Sequence, residues 1–581
     1  MYFAIILFIK IVEEHKTKIG ILGGGPSALF MYKNLLEIPN SHLLEITIFE
    51  KNNALGAGMP YSAIGASLEH ITNVSSNEIP YISKTMSEWI KKVPVSILKK
   101  YQINSEKFNE YKVLPRLLFG EYLSSQFEEL LNLGRKLKVE TKVLFNTTVV
   151  DIIDKPDINL VSVLTNQENK HDFDHVIICI GHYWPKTYEN KVTGYYDSPY
   201  PPSKLNNHYN HPVALRGSSL TAIDAIKTLA RKCGKFNLDN KGKLKFVLNN
   251  DCPDFKIVMH SRNGFLPAVR FHLEDTHLQN TNLLTKEEII KHKENNDGFL
   301  SLDFVFEHNF IRILKSKDSI FYDKIKDYTL EQFVEDMISR RESEPPFSLL
   351  LAEYKEAEKS IRTKESIYWK ELLGVLSFAM NYPAKYFSAE DMIRLKKYLM
   401  PLISTVIAYV PQSSCEEMLA LHDAGLLELI ETGDENETTI SNKNEIIYTY
   451  IDSNKEEIAT VYQTFIDCIG QPQISYNDFP YKSLINNCVI NPAYLRYKDA
   501  EIREENYKKD NVNVNKSESG EYYQKFPGLA INDNFQILDT FGVANPRINI
   551  MAVPYIGGYN PDYSGLDFCE EASGKIAICF L

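Results

Sequence analysis

The stretch "KIGILGGGPSALFMYKNLLE", which begins at Lys18, constrains most strongly what this chain can fold into. An apolar run leads into three glycines, and Gly23, Gly25 and Ala28 then fit the spacing G-x-G-x-x-(G/A). The first glycine of this pattern permits a tight turn, the second lets the backbone approach a pyrophosphate, and the small third residue permits close helix packing. The stretch therefore predicts a strand, a turn and a helix that bind a dinucleotide.

The residues after the glycines add to this prediction. Pro26 and Ser27 open the helix, whose first amides would face the phosphates. The alternating strand "LEITIFEK" ends in Glu50, 25 residues after the second glycine, near the separation of about 20 expected for a carboxylate that binds ribose hydroxyls. Lys51 and Gly58 follow in the loop "EKNNALGAGMPYS", which we expect to wrap the dinucleotide. The alternative interpretation is an ordinary turn followed by a surface glutamate.

A second turn of the same kind follows the strand that begins at residue 212. In "PVALRGSSLTAIDAIKTLA" the residues Gly217, Ser219 and Ala222 occupy the three positions of the pattern. The next strand, "DFKIVMHSRNG", ends in Ser261 and Arg262 instead of an acid. An arginine there can pair with a 2′-phosphate, which favours NADP(H) over NAD(H). The alternative is a solvated charge at the end of a strand.

Two further apolar strands run into glycines: "HDFDHVIICIGHYWP" reaches Gly181 and "TVYQTFIDCIGQP" reaches Gly470. In this respect the chain resembles flavoproteins with two dinucleotide-binding domains, in which such strands cross between the domains. The chain is most similar to an uncharacterised FAD/NAD(P)-binding protein family, itself similar to flavin-containing and N-hydroxylating monooxygenases. The segments that carry this resemblance are "GILGGGPSALFM", "IFEKNNALGAGMPYS", "EHITNV", "LPRLLFGEYL", "IGHYWP", "LRGSSLTAIDA", "SRNGFLP" and "DCIGQP".

The resemblance implies roles for residues outside the glycine turns. Arg116 in "LPRLLFGEYL" would lie near FAD, and Asn73 in "TNV" would face the flavin as the candidate catalytic residue. The lysine that follows this asparagine in the family is absent here. Gly557 and Gly558 would bring the C-terminal backbone close to the flavin ring. The alternatives are a surface arginine on an amphipathic helix and a glycine-rich loop that caps a helix.

The predicted fold class is α/β, with two Rossmann-like dinucleotide-binding domains and a mainly helical insertion. The insertion is either a lid or substrate wall, or else an oligomer surface or scaffold. The predicted domain boundaries are 14–185 for the first part of the FAD domain, 186–284 for the first part of the NAD(P) domain, 285–410 for the helical insertion, 411–470 for the return to the NAD(P) domain and 471–581 for the C-terminal part of the FAD domain.

Composition excludes several other classes of protein. The net charge of −12 argues against a nucleic-acid-binding surface, which would be basic. The apolar start "MYFAIILFIK" is shorter than the roughly 20 residues that cross a bilayer, so we expect no membrane span and a cytoplasmic location. The eight cysteines contain no CxxC pair, so we expect neither a disulfide framework nor a metal site. Their distribution also argues against a pyridine nucleotide–disulfide reductase.

The sequence therefore predicts an oxidoreductase that uses FAD and NADP(H). The favoured hypothesis is a monooxygenase-like enzyme that oxidises a small molecule with O₂, in which the cofactors carry the chemistry and the protein positions them. The alternative is a non-catalytic or redox-sensing protein that binds flavin and nucleotide. The sequence leaves the substrate and the oligomeric state open.

Overall fold

A computed structural model describes residues 16–274, 283–381, 383–452, 454–509, 512–561 and 565–580. The apolar N-terminal segment "MYFAIILFIK" lies outside these residues. Within the described part of the chain, no helix combines the length and the apolar character needed to cross a membrane.

The helices are α1 Pro26–Glu37, α2 Met86–Ile90, α3 Val95–Lys100, α4 Arg116–Lys136, α5 Leu220–Cys233, α6 Lys286–Glu294, α7 Leu302–Phe306, α8 Arg312–Lys317, α9 Ser319–Ile325, α10 Leu330–Glu342, α11 Pro346–Thr363, α12 Tyr368–Met380, α13 Ala389–Arg394, α14 Met400–Val406, α15 Gln412–Asp423, α16 Lys482–Asn486, α17 Ala500–Lys509 and α18 Leu566–Ala577. Two π-helical segments, Glu307–Ile311 and Leu395–Leu399, join α7 to α8 and α13 to α14.

The strands are β1 Thr17–Leu22, β2 Leu44–Phe49, β3 Ile71–Ser75, β4 Val113–Pro115, β5 Glu140–Leu144, β6 Val149–Lys155, β7 Leu160–Thr165, β8 Lys170–Phe173, β9 His175–Ile178, β10 Tyr195–Tyr196, β11 Pro212–Arg216, β12 Gly234–Leu238, β13 Leu244–Leu248, β14 Lys256–Ser261, β15 Leu427–Glu431, β16 Asn436–Ile440, β17 Ile446–Ile451, β18 Glu457–Tyr462, β19 Thr464–Asp467, β20 Pro492–Arg496, β21 Val514–Lys516, β22 Tyr522–Leu529, β23 Gln536–Leu538 and β24 Ala544–Ile550.

The first large sheet has the strand order β23-β24-β9-β1-β2-β5. All neighbouring strands in it are parallel except β23, which runs antiparallel to β24. Ile19, Ile21 and Leu22 of β1 are fully buried, as expected for a parallel strand covered on both faces. The glycine turn joins β1 to α1, with Pro26 at the first helical position as predicted.

The second large sheet has the order β10-β19-β11-β14-β15, and all its strands are parallel. Its strands β19, β11, β14 and β15 repeat the order of β9, β1, β2 and β5 in the first sheet. In both sheets a three-stranded antiparallel meander, β6–β8 or β16–β18, precedes the strand that returns beside the glycine turn. The predicted fold class of two Rossmann-like domains is thereby confirmed.

Helices α6 to α14 lie between β14 and β15 in the chain. All of them except α11 contribute buried residues to an apolar core of their own, whereas α11 packs in the core of the second sheet. Capping-box patterns at Thr329, Ser388 and Ser414 predict three helix starts. Thr329 caps α10 and Ser388 caps α13 through their side chains, which confirms two of them. The start predicted at Ser414 is wrong, because α15 begins at Gln412, directly after Pro411. A proline just before the helix already fixes an extended backbone there, and the serine lies within the first turn.

The C-terminal part of the chain divides between two apolar cores. Ala493, Leu495 and Phe526 of the β20–β22 sheet are buried in the core of the helical insertion. Strand β24 and helix α18 return to the first sheet, where α18 packs against α1. A buried ion pair of 2.6 Å between Lys33 Nζ and Glu570 Oε1 joins these two helices. The segment predicted as one FAD-domain part, 471–581, thus also supports the helical insertion.

Candidate functional site

Two cavities open at the carboxyl ends of the two parallel sheets, where open α/β sheets bind their ligands. Cavity one, of about 460 Å³, lies between the turn after β1, the loop after β2, the end of β9 and the first turn of α18. Cavity two, of about 600 Å³, lies between the turn after β11, the loop after β14 and helix α14. Both volumes fall in the range of about 300–1,000 Å³ typical of ligand sites.

Most of the predicted cofactor residues line these cavities. Cavity one brings together Gly23, Gly25, Pro26, Ser27, Glu50, Lys51, Gly58, Asn73, Arg116 and Gly181. Cavity two brings together Gly217, Ser219, Ser261 and Arg262. The remaining predicted residues line neither cavity: Ala28, Ala222, Gly470, Gly557 and Gly558.

The first glycine of each turn is required by the strand that returns beside it. Gly23 has a φ of +108°, and a Cβ there would lie 2.6 Å from the Cys179 carbonyl oxygen. Gly217 has a φ of +115°, and a Cβ there would lie 2.7 Å from the Cys468 carbonyl oxygen. The two turns therefore have the same backbone conformation. In each of them, a backbone carbonyl beside the turn leaves no room for a side chain on the first glycine.

Glu50 is buried at the end of β2 and organises the first turn. Its Oε2 accepts a hydrogen bond of 2.8 Å from the Gly24 N–H, and its Oε1 accepts one of 2.7 Å from the Asn52 N–H. The carboxylate thus joins the glycine turn to the loop after β2 while it lines cavity one. A carboxylate oxygen can accept more than one hydrogen bond, so both oxygens retain capacity for a ligand hydroxyl.

Arg116, at the start of α4, lines cavity one and is held by the second domain. Its Nη1 lies 2.5 Å from Asp224 Oδ2 on α5, and its Nε donates to the Ile71 carbonyl at 3.2 Å. Tyr200 donates its hydroxyl to the same Asp224 oxygen at 2.7 Å. Burial opposes the charged form of Arg116, but the adjacent Asp224 carboxylate raises its pKa above the ordinary value.

His70 continues this contact between the two domains. The Ser67 N–H donates to His70 Nδ1 at 3.1 Å, so Nε2 carries the proton of the neutral ring and lies 3.1 Å from the Asp224 carbonyl oxygen. Nε2 also lies 3.0 Å from Thr228 Oγ1. Burial lowers the pKa of His70. The imidazole therefore acts as a neutral donor that fixes α5 against the segment before β3.

Asn73 lies on the wall of cavity one, and its backbone is fixed by a residue far along the chain. Arg270 Nη1 donates to the Asn73 carbonyl, while its Nη2 donates to Ser75 Oγ at 2.8 Å and pairs with Glu78. Arg270 is buried in the loop region after β14. A side chain from the second domain thus positions the predicted flavin-facing segment of the first.

The two strands that end in Ile-Gly are tied to each other between the cavities. Trp184 Nε1 donates to the Gly470 carbonyl at 3.0 Å, and the Tyr183 N–H donates to Gln471 Oε1 at 2.8 Å. Trp184 and Gln471 both line cavity one, whereas Ile469 lines cavity two. Gly470 therefore stands at the junction of the two cavities, and its carbonyl holds the indole.

The C-terminal glycines lie away from cavity one. A Cβ on Gly558 would lie 2.5 Å from Ala493 Cβ and 2.5 Å from the Pro527 carbonyl, so this glycine permits close packing against the β20–β22 sheet. Gly557 is buried beside it. The described residues after β24 that do line cavity one are Met551, Val553, Pro554, Gly565, Leu566 and Cys569.

Cavity two carries two arginines near the ends of its strands. Arg262 is 74% exposed, and its Nη1 lies 3.7 Å from Asp434 Oδ1. Arg216, which sequence analysis did not identify, pairs with Asp467 at 3.4 Å. Both guanidinium groups lie at the edge where β11, β14 and β19 end. The cavity thus carries two guanidinium groups, each of which lies within 4 Å of a carboxylate.

The helical insertion forms one wall of cavity two. Pro401, Ser404 and Thr405 of α14 line it opposite the glycine turn. The Thr405 carbonyl accepts a hydrogen bond of 3.0 Å from the Ala268 N–H, which joins α14 to the loop after β14. The insertion thus lines cavity two, which is a different position from the lid or substrate wall over the flavin that the sequence predicted as one alternative.

Two cysteines line cavity one, at the end of β9 and in the first turn of α18. Burial raises the pKa of the Cys179 thiol well above its ordinary value and that of the Cys569 thiol to about 12. Reactive thiols have lowered pKa values, because the thiolate is the nucleophile. Both side chains therefore behave as apolar wall residues.

Sequence analysis missed Asp224, Tyr200 and Arg270. Asp224 left one signal: it stands within "TAIDAIKTLA", among residues that form the apolar face of α5. An acid on such a face predicts a buried partner of opposite charge. Arg270 and Tyr200 left no comparable signal, because their partners are far away in sequence.

Residues 20–183 match the family model described as "FAD-NAD(P)-binding". This segment of the chain is therefore an FAD/NAD(P)-binding domain. Residues 285–407 match the model described as "YdhS-like middle domain", which lies within the predicted helical insertion.

The chain is 28% identical over 475 residues to "Uncharacterized protein YdhS" of Escherichia coli (strain K12), a match that covers 80% of this chain and 85% of that protein. Among solved structures it is similar to an ornithine N-hydroxylase of Kutzneria sp. 744, with 11% identity, a TM-score of 0.47, and 97% and 98% of the two chains covered. It is also similar to the ornithine hydroxylase PvdA of Pseudomonas aeruginosa, with 11% identity, a TM-score of 0.48, and 97% and 99% covered.

Proposed function

We propose that this protein is an NADPH-dependent flavin oxidoreductase of monooxygenase type, with FAD in cavity one and NADP(H) in cavity two. The observation that carries the proposal is the short separation of the two cavities. Ser219 at the turn after β11 lines cavity two, and Thr221, two residues further, lines cavity one. If each cavity held a dinucleotide, only this turn would separate the reactive end of one dinucleotide from the reactive end of the other.

The residues of cavity one fit FAD. Gly23 and Gly25 leave the backbone bare at the N-terminus of α1, where the helix amides favour a pyrophosphate. Glu50 is placed to accept ribose hydroxyls, and its charge disfavours a 2′-phosphate. Arg116 and Asn73 also line this cavity, and we assign the flavin ring to their part of the wall. FAD, when bound, would supply the electron-transfer chemistry, and these residues would orient it.

The residues of cavity two fit NADP(H). The turn at Gly217 and Ser219 repeats the phosphate-binding geometry of the first turn. Arg262 and Arg216 carry positive charge at the strand ends in cavity two. At the corresponding position in cavity one, Glu50 carries negative charge. A guanidinium pairs bidentately with phosphate, which supports a preference for the 2′-phosphate of NADPH.

We assign the oxidised substrate to the class of small molecules with a nucleophilic nitrogen or sulfur, and the oxidant to O₂. Cavity one has an aromatic wall of Tyr61, Trp184 and Tyr200 that limits water around the assigned flavin position. In the described part of the chain, both cysteines of this wall are buried thiols with raised pKa values. This arrangement supports oxygenation over thiol–disulfide exchange.

The test begins with FAD content and continues with anaerobic mixing of the flavin-loaded protein with NADPH or NADH, followed by exposure to O₂. We expect rapid loss of the oxidised-flavin absorbance with NADPH, slower loss with NADH, and O₂ consumption that increases with an amine or sulfide substrate. A colourless protein that takes up no FAD would refute the proposal. Reduction by NADPH without any substrate-dependent oxygenation would favour the redox-sensing alternative.

A further inference from the structure

A cluster of three metal-ligand side chains lies at the edge of the second sheet remote from cavity two. His208 precedes β11, and Asp251 and Cys252 precede β14, so the two loops meet at the amino ends of neighbouring parallel strands. Cavity two lies at the carboxyl ends of the same strands. The cluster therefore has no part in the proposed dinucleotide site.

The donor atoms of the cluster have the separations of a tetrahedral metal site. His208 Nδ1 lies 3.4 Å from Asp251 Oδ2 and 3.9 Å from Cys252 Sγ, and Asp251 Oδ1 lies 3.7 Å from Cys252 Sγ. Bonds of about 2.3 Å from zinc to sulfur and about 2.0 Å from zinc to nitrogen or oxygen give tetrahedral edges of about 3.5 Å to sulfur and about 3.3 Å between the lighter donors. One donor atom from each residue lies within 4.8 Å of the other two, and the two distances to Asp251 involve different carboxylate oxygens, so the exposed Asp251 side chain must rotate for the three residues to share one ion.

We propose that His208, Asp251 and Cys252 bind a zinc ion, with solvent in the fourth position. Thiolate, imidazole and carboxylate together are the donor set of a borderline-soft divalent metal such as zinc, whereas magnesium and calcium prefer oxygen. Cys252 is buried, while the side chains of His208 and Asp251 are 66% and 64% exposed. The ion can thus enter from solvent and rest on a buried sulfur.

The surrounding contacts hold the two loops in place. The Asp254 N–H donates to Asn210 Oδ1 at 2.8 Å, which ties the loop before β14 to the loop before β11. The Cys252 N–H donates to the Asn249 carbonyl at 3.1 Å. A site fixed by such outer contacts loses less entropy when the metal binds. Zinc there would join the two loops further.

Cys233 at the end of α5 is the neighbour that offers a competing chemistry. Its thiol interacts with that of Cys252 and donates to the Tyr209 carbonyl at 3.5 Å. Oxidation of the two thiols to a disulfide, by an external two-electron oxidant that takes up both hydrogens, would remove the sulfur ligand. Neither chemistry could be predicted from the sequence, because Cys233 and Cys252 stand 19 residues apart without any CxxC pair.

The experiment uses the full-length, flavin-loaded protein, reduced and freed of metal with a chelator. Zinc is titrated against a chromophoric competitor, and the zinc-loaded protein is studied by X-ray absorption at the zinc edge. We expect one zinc per chain, one sulfur neighbour at about 2.3 Å, lighter neighbours at about 2.0 Å, and a thermal midpoint that rises with zinc. Cys252→Ser and His208→Ala should weaken zinc binding by more than about 100-fold.

Cys488→Ser is the matched control, because this exposed cysteine lies outside the cluster, and it should bind zinc as the wild type does. His208→Ala alters an exposed side chain and keeps the test valid if Cys252→Ser fails to fold. Zinc binding that is absent, that is equal in wild type and both variants, or that shows no sulfur neighbour would overturn the proposal. Two sulfur neighbours, or a disulfide between Cys233 and Cys252 in the purified protein, would overturn the three-ligand set. FAD content is a separate readout and should not change.

Discussion

Arg116 in the first dinucleotide-binding domain and Asp224 in the second form a buried ion pair at the wall of cavity one, with 2.5 Å between Nη1 and Oδ2. Asp224 stands on α5, the helix that begins at the second glycine turn. The pair therefore links the segment predicted to contact FAD to the helix predicted to contact NADP(H). The Tyr200 hydroxyl donates to the same carboxylate, so Asp224 is held by two side chains.

Asp224→Ala should destabilise the protein by about 3–5 kcal/mol, because it leaves the Arg116 charge buried without its partner. We also expect loss of FAD, since Arg116 would then be free to turn away from the cavity wall. Chemical unfolding and flavin content measure the two effects. Lys243→Ala is the control: Lys243 forms an exposed ion pair with Asp423, and its loss should cost less than about 1 kcal/mol. Equal effects of the two substitutions would contradict this role of Asp224.

Gly217→Ala should abolish reduction by NADPH while the protein retains FAD. The new Cβ would lie 2.7 Å from the Cys468 carbonyl, at a φ of +115° that disfavours side chains, so the turn must shift. Gly242→Ala is the matched control, because Gly242 also has a positive φ, of +78°, but a Cβ there meets no atom within 4 Å. Anaerobic reduction by NADPH and flavin content distinguish the outcomes. Loss of flavin in Gly217→Ala with normal NADPH binding would reverse the assignment of the two cavities.

The two glycine turns could be predicted from sequence because their requirements are local. The first glycine, the apolar strand before it and the helix after it stand within about a dozen residues, where the chemistry of the turn leaves a pattern. Strands β9 and β19 could also be predicted, as apolar runs that lead into Ile-Gly. The strands with which they pair could not be read from a local pattern, because β9 lies far along the chain from β1, and β19 far from β11.

The predictions that the structure changed concern tertiary packing. Gly558 was expected beside the flavin, yet it packs against Ala493, since a glycine serves equally for close approach to a ligand or to another strand. Arg270 fixes the Asn73 backbone across 197 residues of sequence, and no local motif marks such a pair. The wall formed by Ser404 and Thr405 was equally hidden, because exposed polar residues on a helix resemble ordinary surface.

Arg262→Gln should raise the KM for NADPH by about 10-fold or more, the loss expected when a charged hydrogen bond to phosphate is removed. The KM for NADH should not change, because NADH lacks the 2′-phosphate. Steady-state kinetics with both nucleotides at fixed ionic strength measure the split. Lys256→Gln is the control, at the opposite end of the same strand and likewise in an exposed ion pair. An equal rise for NADH would refute the assignment of Arg262 to the 2′-phosphate.

His260 should make the free energy of unfolding decrease as the pH falls below neutrality. It is buried at the back of cavity two, where its Nδ1 lies 3.4 Å from the Leu215 carbonyl and Tyr462 donates to Nε2 at 3.2 Å. Burial lowers the pKa of His260 from 6.5 to about 4. Because the folded-state pKa lies below the unfolded one, the neutral ring stabilises the folded state fully above the unfolded pKa. This contribution is lost as the pH falls through that window, by about 1.4 kcal/mol per pH unit.

His260→Gln keeps a donor and an acceptor but cannot take up the proton. The loss of unfolding free energy between about pH 7 and about pH 4.5 should therefore be smaller in the variant by about 2 kcal/mol. Urea unfolding at a series of pH values measures this difference. His70, whose pKa burial also lowers, contributes equally to wild type and variant and cancels in the comparison. Parallel pH profiles would show that His260 titrates alike in the folded and unfolded states, and the neutral-ring assignment would then be wrong.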